Sequence, residues 1–431
     1  MPSTKYLIIG SSHAGLSALD AIRLQDTEGS VTLITRDESL PYSPTILPYV
    51  VSGDADPEKI FLRDQKAMDH LNVTFLKGET VTTVDTKAHS VRLSSGESLS
   101  CEKLLLATGA TPVLPPVTGL EDEPHHVLRT LDDAMKLRIA LENKHTALVV
   151  GAGLIGMHAA ENLAKIGVDV TIVEALPHVL PDYFDEDGAT LIQQAFSDKG
   201  IKMHLGCTMK QVARSNGAQL VTLNSGETIS SDLVLVATGV RPSFDYLSET
   251  DIEVDQGILV DDRMRTSADG VWAAGDVVQA PSFFDSEKRL NGTLPDASEQ
   301  GRIAGMDMVG DSALKPYKGG IGMNTYKFFG HRAFSIGLIK EGNTGSDGSE
   351  VDRVASPDLE VDRVYSPASQ RYQKLVFQDD RLVGALSINT DLDPGVMFEV
   401  IRRRIDLKDM KAQFVDHPQE TGRILMTKVW R

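Results

Sequence analysis

Residues 149–156 read VVGAGLIG, two valines that close an apolar run followed by Gly151, Gly153 and Gly156. At this spacing the first glycine permits a tight strand-to-helix turn, the second lets a phosphate approach the backbone, and the third lets the helix pack closely on the strand. The positive N-terminal end of that helix then points at a pyrophosphate. The neighbours fit: residues 146–150 form an apolar strand, residues 154–165 a helix with Gly167 as its stop, and residues 169–174 a second strand ending in Glu174. A carboxylate at that strand end accepts the ribose hydroxyls of NAD(H) and repels the extra phosphate of NADP(H). Ala175 and Leu176 supply no arginine to reverse the preference, so NADH is the expected partner of this turn.

A second copy of the pattern lies upstream. Residues 8–15 read IIGSSHAG, with Gly10, Ser12 and Gly15 in the fingerprint positions behind the strand 5–10 and ahead of a helix at about 15–24. Ser12 replaces the middle glycine; it is small enough for a phosphate to approach, and its hydroxyl can bond one. Two readings of His13 stand, an incidental turn residue or a charge partner for the phosphates. The acid expected to hold an adenosine ribose about 20 residues beyond the glycines is Asp37, just past the strand 31–34. The two blocks also end alike, in KLLLATGATP at 103–112 and LVLVATGVRP at 233–242, and a further apolar strand ends in Gly275 and Asp276 of VWAAGDV at 271–277. Two fingerprints in one chain imply two dinucleotides held at once and electron transfer between them.

The fold expected is α/β, with two Rossmann-like dinucleotide-binding domains and a C-terminal α+β domain. The first domain takes residues 1–112 and 241–316, the inserted second domain residues 113–240, and the third residues 317–431. This last part carries short strands at 332–338, 374–378 and 381–387 and a helix over 394–404. It also carries a direct repeat, EVDRVASP at 350–357 and EVDRVYSP at 360–367, beside the Gly-rich 341–349. Ten residues copied twice are too short for a solenoid, and the segment 341–370 reads as an inserted hairpin or surface loop, either without a role or as a docking element for a partner.

Composition bounds the rest. The chain has 431 residues, 41% hydrophobic and 24% charged, long enough for two or three domains with buried cores. A net charge of −18 disfavours nucleic acid and anionic membranes as partners. No apolar run is long enough to span a bilayer, and MPST leads straight into the first strand, so no signal peptide and a cytoplasmic location are expected. Cys101 and Cys207 are the only cysteines, which rules out a local iron–sulfur or zinc ligand set; both read as structural thiols. No metal site is expected. The adjacent His125 and His126 read as solvated loop, and Asp182, Asp185, Glu186 and Asp187 as a helix-entry surface.

The ordered motifs GxSxxG, ATGATP, GAGLIG with a terminal Glu, ATGVRP and AAGDV together resemble the FAD-dependent pyridine nucleotide–disulfide oxidoreductase superfamily over essentially the whole chain. The resemblance implies that the first domain, with the AAGDV segment, binds FAD, the inserted domain binds NAD(H), and the last domain forms an interface. It places FAD against Gly10, Ser12, His13, Ala14, Gly15, Asp37, Thr45, Val81, Ala107, Thr108, Gly109, Gly275, Asp276, Pro295 and Ala297. Asp276 would bond the ribityl or phosphate region, and the helix opening near 295–297 would aim its positive end at the flavin pyrimidine ring, favouring the reduced anion. NAD(H) falls against Gly151, Gly153, Leu154, Ile155, Gly156, Glu174 and Gly239.

One departure from that pattern changes the expected chemistry. Coenzyme A disulfide reductases and NADH oxidases carry a redox cysteine in a CGLPYY-like stretch; residues 42–50 here read YSPTILPYV, with Thr45 at the cysteine's position. Threonine cannot serve as a redox thiol. His158, in GMHAAE, replaces the glutamate of GxEMAE and stands as either a nicotinamide neighbour or a helix histidine with ordinary partners. Thr45 and His158 are the candidate catalytic residues of the chain itself, the flavin carrying the chemistry. Lacking a thiol relay, the reduced flavin would exchange electrons with an external iron–sulfur protein or subunit. The segment 41–49 resembles rubredoxin and ferredoxin reductases, and the whole sequence resembles more narrowly the FAD- and NAD-binding subunits of multi-subunit 2-oxoacid oxidoreductases of the phenylglyoxylate dehydrogenase kind. That likeness implies electrons from 2-oxoacid oxidation passing through thiamine diphosphate and iron–sulfur subunits to FAD and leaving as NADH. A free-standing NADH oxidase or rubredoxin/ferredoxin reductase, and a flavin-stabilised interaction protein, are the competing readings.

Overall fold

Leu7, Ile8, Leu33 and Leu105 have no exposed surface, as near-continuous apolar strands covered on both faces require. They belong to a seven-stranded sheet in a computed structural model that describes residues 1–285, 287–339 and 359–429. Val73–Lys77, Val31–Thr35, Ser3–Ile9 and Ser98–Leu106 lie side by side in parallel, and Val271–Ala273 joins parallel to the end of Ser98–Leu106. The antiparallel pair Val81–Asp85 and Ser90–Leu93 extends the other stretch of that strand. The helix His13–Gln25 covers the sheet and packs on the helix Leu294–Val309. A Cβ on Gly301 would lie 2.1 Å from the Ala14 carbonyl oxygen, so only a small residue permits this approach. The packing draws the start of Leu294–Val309 and the first glycine turn towards the same end of the sheet.

Contacts divide the chain into two units. The first comprises Met1–Val113, Arg129–Ala134 and Val240–Ile321; the second comprises Leu114–Leu128, Met135–Gly239 and Gly322–Arg431. This division differs from the sequence reading: Arg129–Ala134 and residues 317–321 join the first unit, and the C-terminal sheet shares a unit with the middle block.

In the second unit, Lys202–Leu205, Asp169–Glu174, Thr146–Val150 and Leu233–Val236 form a four-stranded parallel sheet, with a three-stranded antiparallel sheet over 209–231. The C-terminal part is a five-stranded antiparallel sheet in the order Met323–Phe328, His331–Gly337, Arg381–Ile388, Arg371–Gln378, Glu360–Ser366. Side chains join it to the middle block. Asp185 caps the helix Glu186–Ser197 by accepting from the Gly188 N–H at 3.2 Å, and its other oxygen accepts from Tyr372 Oη at 2.5 Å and Lys374 Nζ at 3.1 Å. Glu161, 3% exposed, accepts from the Phe329 N–H at 2.8 Å. The acidic run at 182–187 is therefore more than a solvated entry surface: Asp185 neutralises a buried lysine.

The second repeat copy is a strand. Residues 360–366 pair antiparallel with Arg371–Gln378 along the sheet edge, turning back through the short 3-10 helix Pro367–Ser369. The first copy, 350–357, lies outside the described residues. His126 also departs from a plain loop, since its N–H donates to the Val234 carbonyl and its carbonyl accepts from the Val236 N–H. Among the described residues no helix is long and apolar enough to cross a membrane.

Candidate functional site

The two glycine turns are built alike. Gly10 and Gly151 have φ of 113° and 104°, a region open to glycine, and a Cβ on either would strike a carbonyl oxygen, that of Ala107 or of Ala237, the residues that follow the two strands leading into the ATG turns. The hydrogen bonds repeat as well: Gly10 N–H donates to the Ile34 carbonyl and Gly151 N–H to that of Val173, both at 2.8 Å. Each turn thus delivers the first, unpaired N–H groups of a helix, His13–Gln25 or Leu154–Lys165, to the end of a parallel sheet, the usual setting for an anion. A Cβ on Gly153 would meet no atom within 4 Å, leaving open space before the second helix.

Beside the first turn is a cavity of about 470 Å³. Gly10, Ser12, Asp37, Val81, Ala107, Thr108 and Gly109, all drawn from the sequence, line it. Around them stand residues that sequence reasoning missed. Tyr42 Oη donates to Asp37 Oδ2 at 2.7 Å and accepts from the Leu131 N–H at 2.8 Å; burial and the Asp37 carboxylate push its pKa up. The Thr108 and Tyr246 hydroxyls lie 2.9 Å apart, and burial pushes Tyr246 up to about 12. Arg129 Nη2 would lie 3.3 Å from a Cβ on Gly109, and it donates to Asp276 at 2.9 Å. One sequence signal could have marked Arg129. Thr130 and Asp133 form a capping box, the Thr130 N–H donating to Asp133 Oδ2 and the Asp133 N–H to Thr130 Oγ1. The box fixes a helix start and so the arginine just before it.

A buried polar network ties Gly275 to the start of the helix that carries Pro295 and Ala297. The Gly275 N–H donates to Gln300 Oε1 at 2.8 Å, and Gln300 Nε2 to Tyr317 Oη at 3.4 Å. Tyr317 in turn donates to Asp296 at 2.8 Å, and Asp296 also accepts from Thr293 and Asn291. Burial raises the Asp296 carboxyl to about 6. The helix Leu294–Val309 begins here, with Thr293 as N-cap and Pro295 in its first turn.

These residues fit FAD: a glycine turn and helix N-terminus for the pyrophosphate, the Asp37 carboxylate for ribose hydroxyls, and Arg129 and hydroxyl donors along one cavity wall. Ala14 and Gly15 open the first helix beneath that turn. Bound there, FAD supplies hydride exchange with a nicotinamide and single-electron exchange with other centres.

Thr45 is exposed, its hydroxyl 2.9 Å from Ser43 Oγ, which lies 2.9 Å from His13 Nε2. In the second unit, Glu174 is buried and both of its oxygens accept backbone N–H donors, Ala152 at 2.6 Å and Leu176 at 2.9 Å. It thereby fixes the second glycine turn and brings a negative charge to it. Leu154 and Ile155 open the helix that Gly156 packs against Gly151, and Gly239 bends after the second ATG strand with φ of 108°. His158, half-buried, has its ring 4.7 Å from that of Tyr326, and burial lowers its pKa.

Comparison with known proteins agrees with this construction. The family model for pyridine nucleotide-disulphide oxidoreductases matches residues 4–301. The epsilon subunit of NADH-dependent phenylglyoxylate dehydrogenase from Aromatoleum evansii is 46% identical over 429 residues, 99% of this chain and 98% of the relative. Rubredoxin-NAD(+) reductase of Pseudomonas putida is 29% identical over 313 residues, 72% of this chain and 81% of the relative. Among solved structures, the water-forming NADH oxidase of Lactobacillus brevis bound to NADH has the same fold, with a TM-score of 0.84, 22% identity and coverage of 94% and 92% of the two chains. The chain belongs to the pyridine nucleotide-disulphide oxidoreductase family, and is an FAD-containing, NAD(H)-dependent electron-transfer oxidoreductase.

Proposed function

We propose that this chain is the FAD- and NAD-binding subunit of a multi-subunit 2-oxoacid oxidoreductase, reducing NAD+ with electrons that an iron–sulfur partner delivers from the oxidation of phenylglyoxylate or a close analogue. The observation that carries the reading is the 46% identity to a phenylglyoxylate dehydrogenase subunit across 99% of the chain. The chain's own thiols support it. Cys101 is buried in the strand Ser98–Leu106, where burial raises its pKa to about 11, and Thr45 replaces the redox cysteine of disulfide reductases. A thiol so protonated is a poor nucleophile, which speaks against Cys101 as a redox relay and favours exchange with another protein.

In this reading Gly10, Ser12, Asp37, Arg129 and the start of Leu294–Val309 hold FAD, and Gly151, Gly153, Gly156 and Glu174 hold NAD(H). The test is to purify the untagged chain from its host, identify what accompanies it, measure iron, and assay phenylglyoxylate-dependent NAD+ reduction. Co-purifying iron–sulfur subunits and that activity support the proposal. A lone chain that reduces rubredoxin with NADH would favour the second reading, a free-standing reductase, for which the likeness to rubredoxin-NAD(+) reductase speaks. A flavin that NADH does not bleach would leave only an interaction role.

A further inference from the structure

Asp296, in the first turn of the helix Leu294–Val309, is 6% exposed. Its Oδ2 accepts from Asn291 Nδ2 and Thr293 Oγ1, both at 2.5 Å, and its Oδ1 from Tyr317 Oη at 2.8 Å. The direction of this network is set at its far end. The Gly275 N–H can only donate, so Gln300 Oε1 accepts it and Gln300 Nε2 donates to Tyr317 Oη, whose single hydrogen then goes to Asp296. A carboxyl that receives three donors is the ionised one, an acceptor with nothing of its own to donate. Burial opposes ionisation and brings its pKa to about 6, so the group is an anion at neutral pH; the charged residue that acts on it most, Glu299, is another acid.

This charge stands where the helix start meets the first glycine turn. A Cβ on Gly275 would lie 3.1 Å from that of Ala14, in the opening turn of His13–Gln25, and 3.8 Å from that of Ala297. A Cβ on Gly292 would lie 3.6 Å from Asp276 Oδ1, and the same Asp276 carboxylate holds Arg129 of the cavity wall. Taking up two electrons and one proton gives a flavin one more negative charge. A helix start presents about half a positive charge, which favours that product; the Asp296 carboxylate presents a full negative one, buried and therefore little screened. We propose that Asp296 lowers the reduction potential of the bound FAD and so makes the reduced flavin a stronger donor to NAD+. The inference rests on the flavin site proposed above and deepens it, reversing the sign that the helix alone would give.

The experiment measures the reduction potential of the purified, FAD-loaded protein by anaerobic spectroelectrochemical titration at pH 8 and pH 5, for the wild type, Asp296→Asn and Asp296→Ser. At pH 8 both neutral variants should have the higher potential, by at least a tenfold change in the equilibrium for reduction, which is about 30 mV for two electrons. At an effective dielectric constant of about 20 a unit charge has that effect out to roughly 12 Å. Towards pH 5 the wild-type carboxyl takes up a proton and the gap should close, whereas a gap caused by altered packing would persist. The other titratable groups that act on Asp296 are Tyr317, which burial keeps protonated throughout, and Glu299, whose replacement in Glu299→Gln should leave the gap in place. Equal potentials at pH 8, a wild-type potential above those of the variants, a gap that persists to pH 5 or one that vanishes in Glu299→Gln would overturn the role of Asp296 alone. So would loss of FAD from both Asp296 variants but not from the wild type, which would leave Asp296 a structural residue. A wild-type chain that binds no FAD would overturn the flavin reading and this inference with it.

Discussion

Arg129 Nη2 donates to Asp276 Oδ2 at 2.9 Å, joining residues 147 positions apart in sequence. Both side chains are largely shielded, at 19% and 25% exposure, so the pair is stronger than a surface ion pair, and it fixes the arginine beside Gly109 at the cavity wall. Arg129→Met should weaken FAD binding about tenfold or more, the scale of a lost charge-assisted contact of about 1.5–3 kcal/mol. Titration of the apo-protein with FAD, followed by quenching of flavin fluorescence, reads this directly. An unchanged dissociation constant would exclude Arg129 from the site.

Glu174 tests the cofactor preference. It brings charge to the second glycine turn while holding Ala152 and Leu176 by their N–H groups. Glu174→Gln removes the charge and turns one acceptor into a donor that faces an N–H. The KM for NADH should rise about tenfold, and the preference for NADH over NADPH in kcat/KM should shrink about as much. If the variant kept the wild-type preference, the carboxylate would not be the selecting group.

Asp296 predicts a pH dependence of stability. Burial raises its folded-state pKa to about 6 from the ordinary 3.8. Between these values the folded chain holds a proton that the unfolded chain has lost, so stability falls as pH rises through that window and stays lower above it. Each tenfold difference in proton affinity between the folded and unfolded chains is worth about 1.4 kcal/mol, which makes the loss about 3 kcal/mol. Urea midpoints measured from pH 4 to 7 should show this fall in the wild type and a flatter profile in Asp296→Asn. Parallel profiles would place the titrating group elsewhere.

What could be read from the sequence follows from how local each signal is. Gly151 and Gly156 lie five positions apart and announce their turn, and the strand 146–150 and helix 154–165 were legible to the residue. Arg129 and Tyr42 were not read as site residues: the Thr130–Asp133 box fixes a helix start but not the Asp276 bond that holds Arg129 at the cavity, and Tyr42, though five positions from Asp37, is brought to Leu131 only by the fold. His13 gave a motif position but not its bond to Ser43, which depends on how a loop 30 residues away returns to the first helix. The C-terminal domain looked separate because its apolar periodicity starts afresh near Tyr317. Its tie to the middle block rests on polar side chains such as Asp185 and Lys374, which in sequence look like ordinary surface.

That tie gives the last prediction. Lys374 is 4% exposed and donates to Asp185 at 3.1 Å, while Tyr372 donates to the same oxygen at 2.5 Å. Removing the carboxylate takes a countercharge from a buried ammonium, which costs more than losing the pair as a whole. Asp185→Ala should therefore destabilise the chain by about 2–4 kcal/mol, and Lys374→Met alone by less. The double variant should recover part of the Asp185→Ala loss, since an apolar side chain of similar length fills the space without a charge to neutralise. Chemical denaturation of the four proteins closes the cycle. Additive losses in the double variant would mean that Asp185 supports the fold as a helix cap and through Tyr372 alone, with no coupling to the lysine.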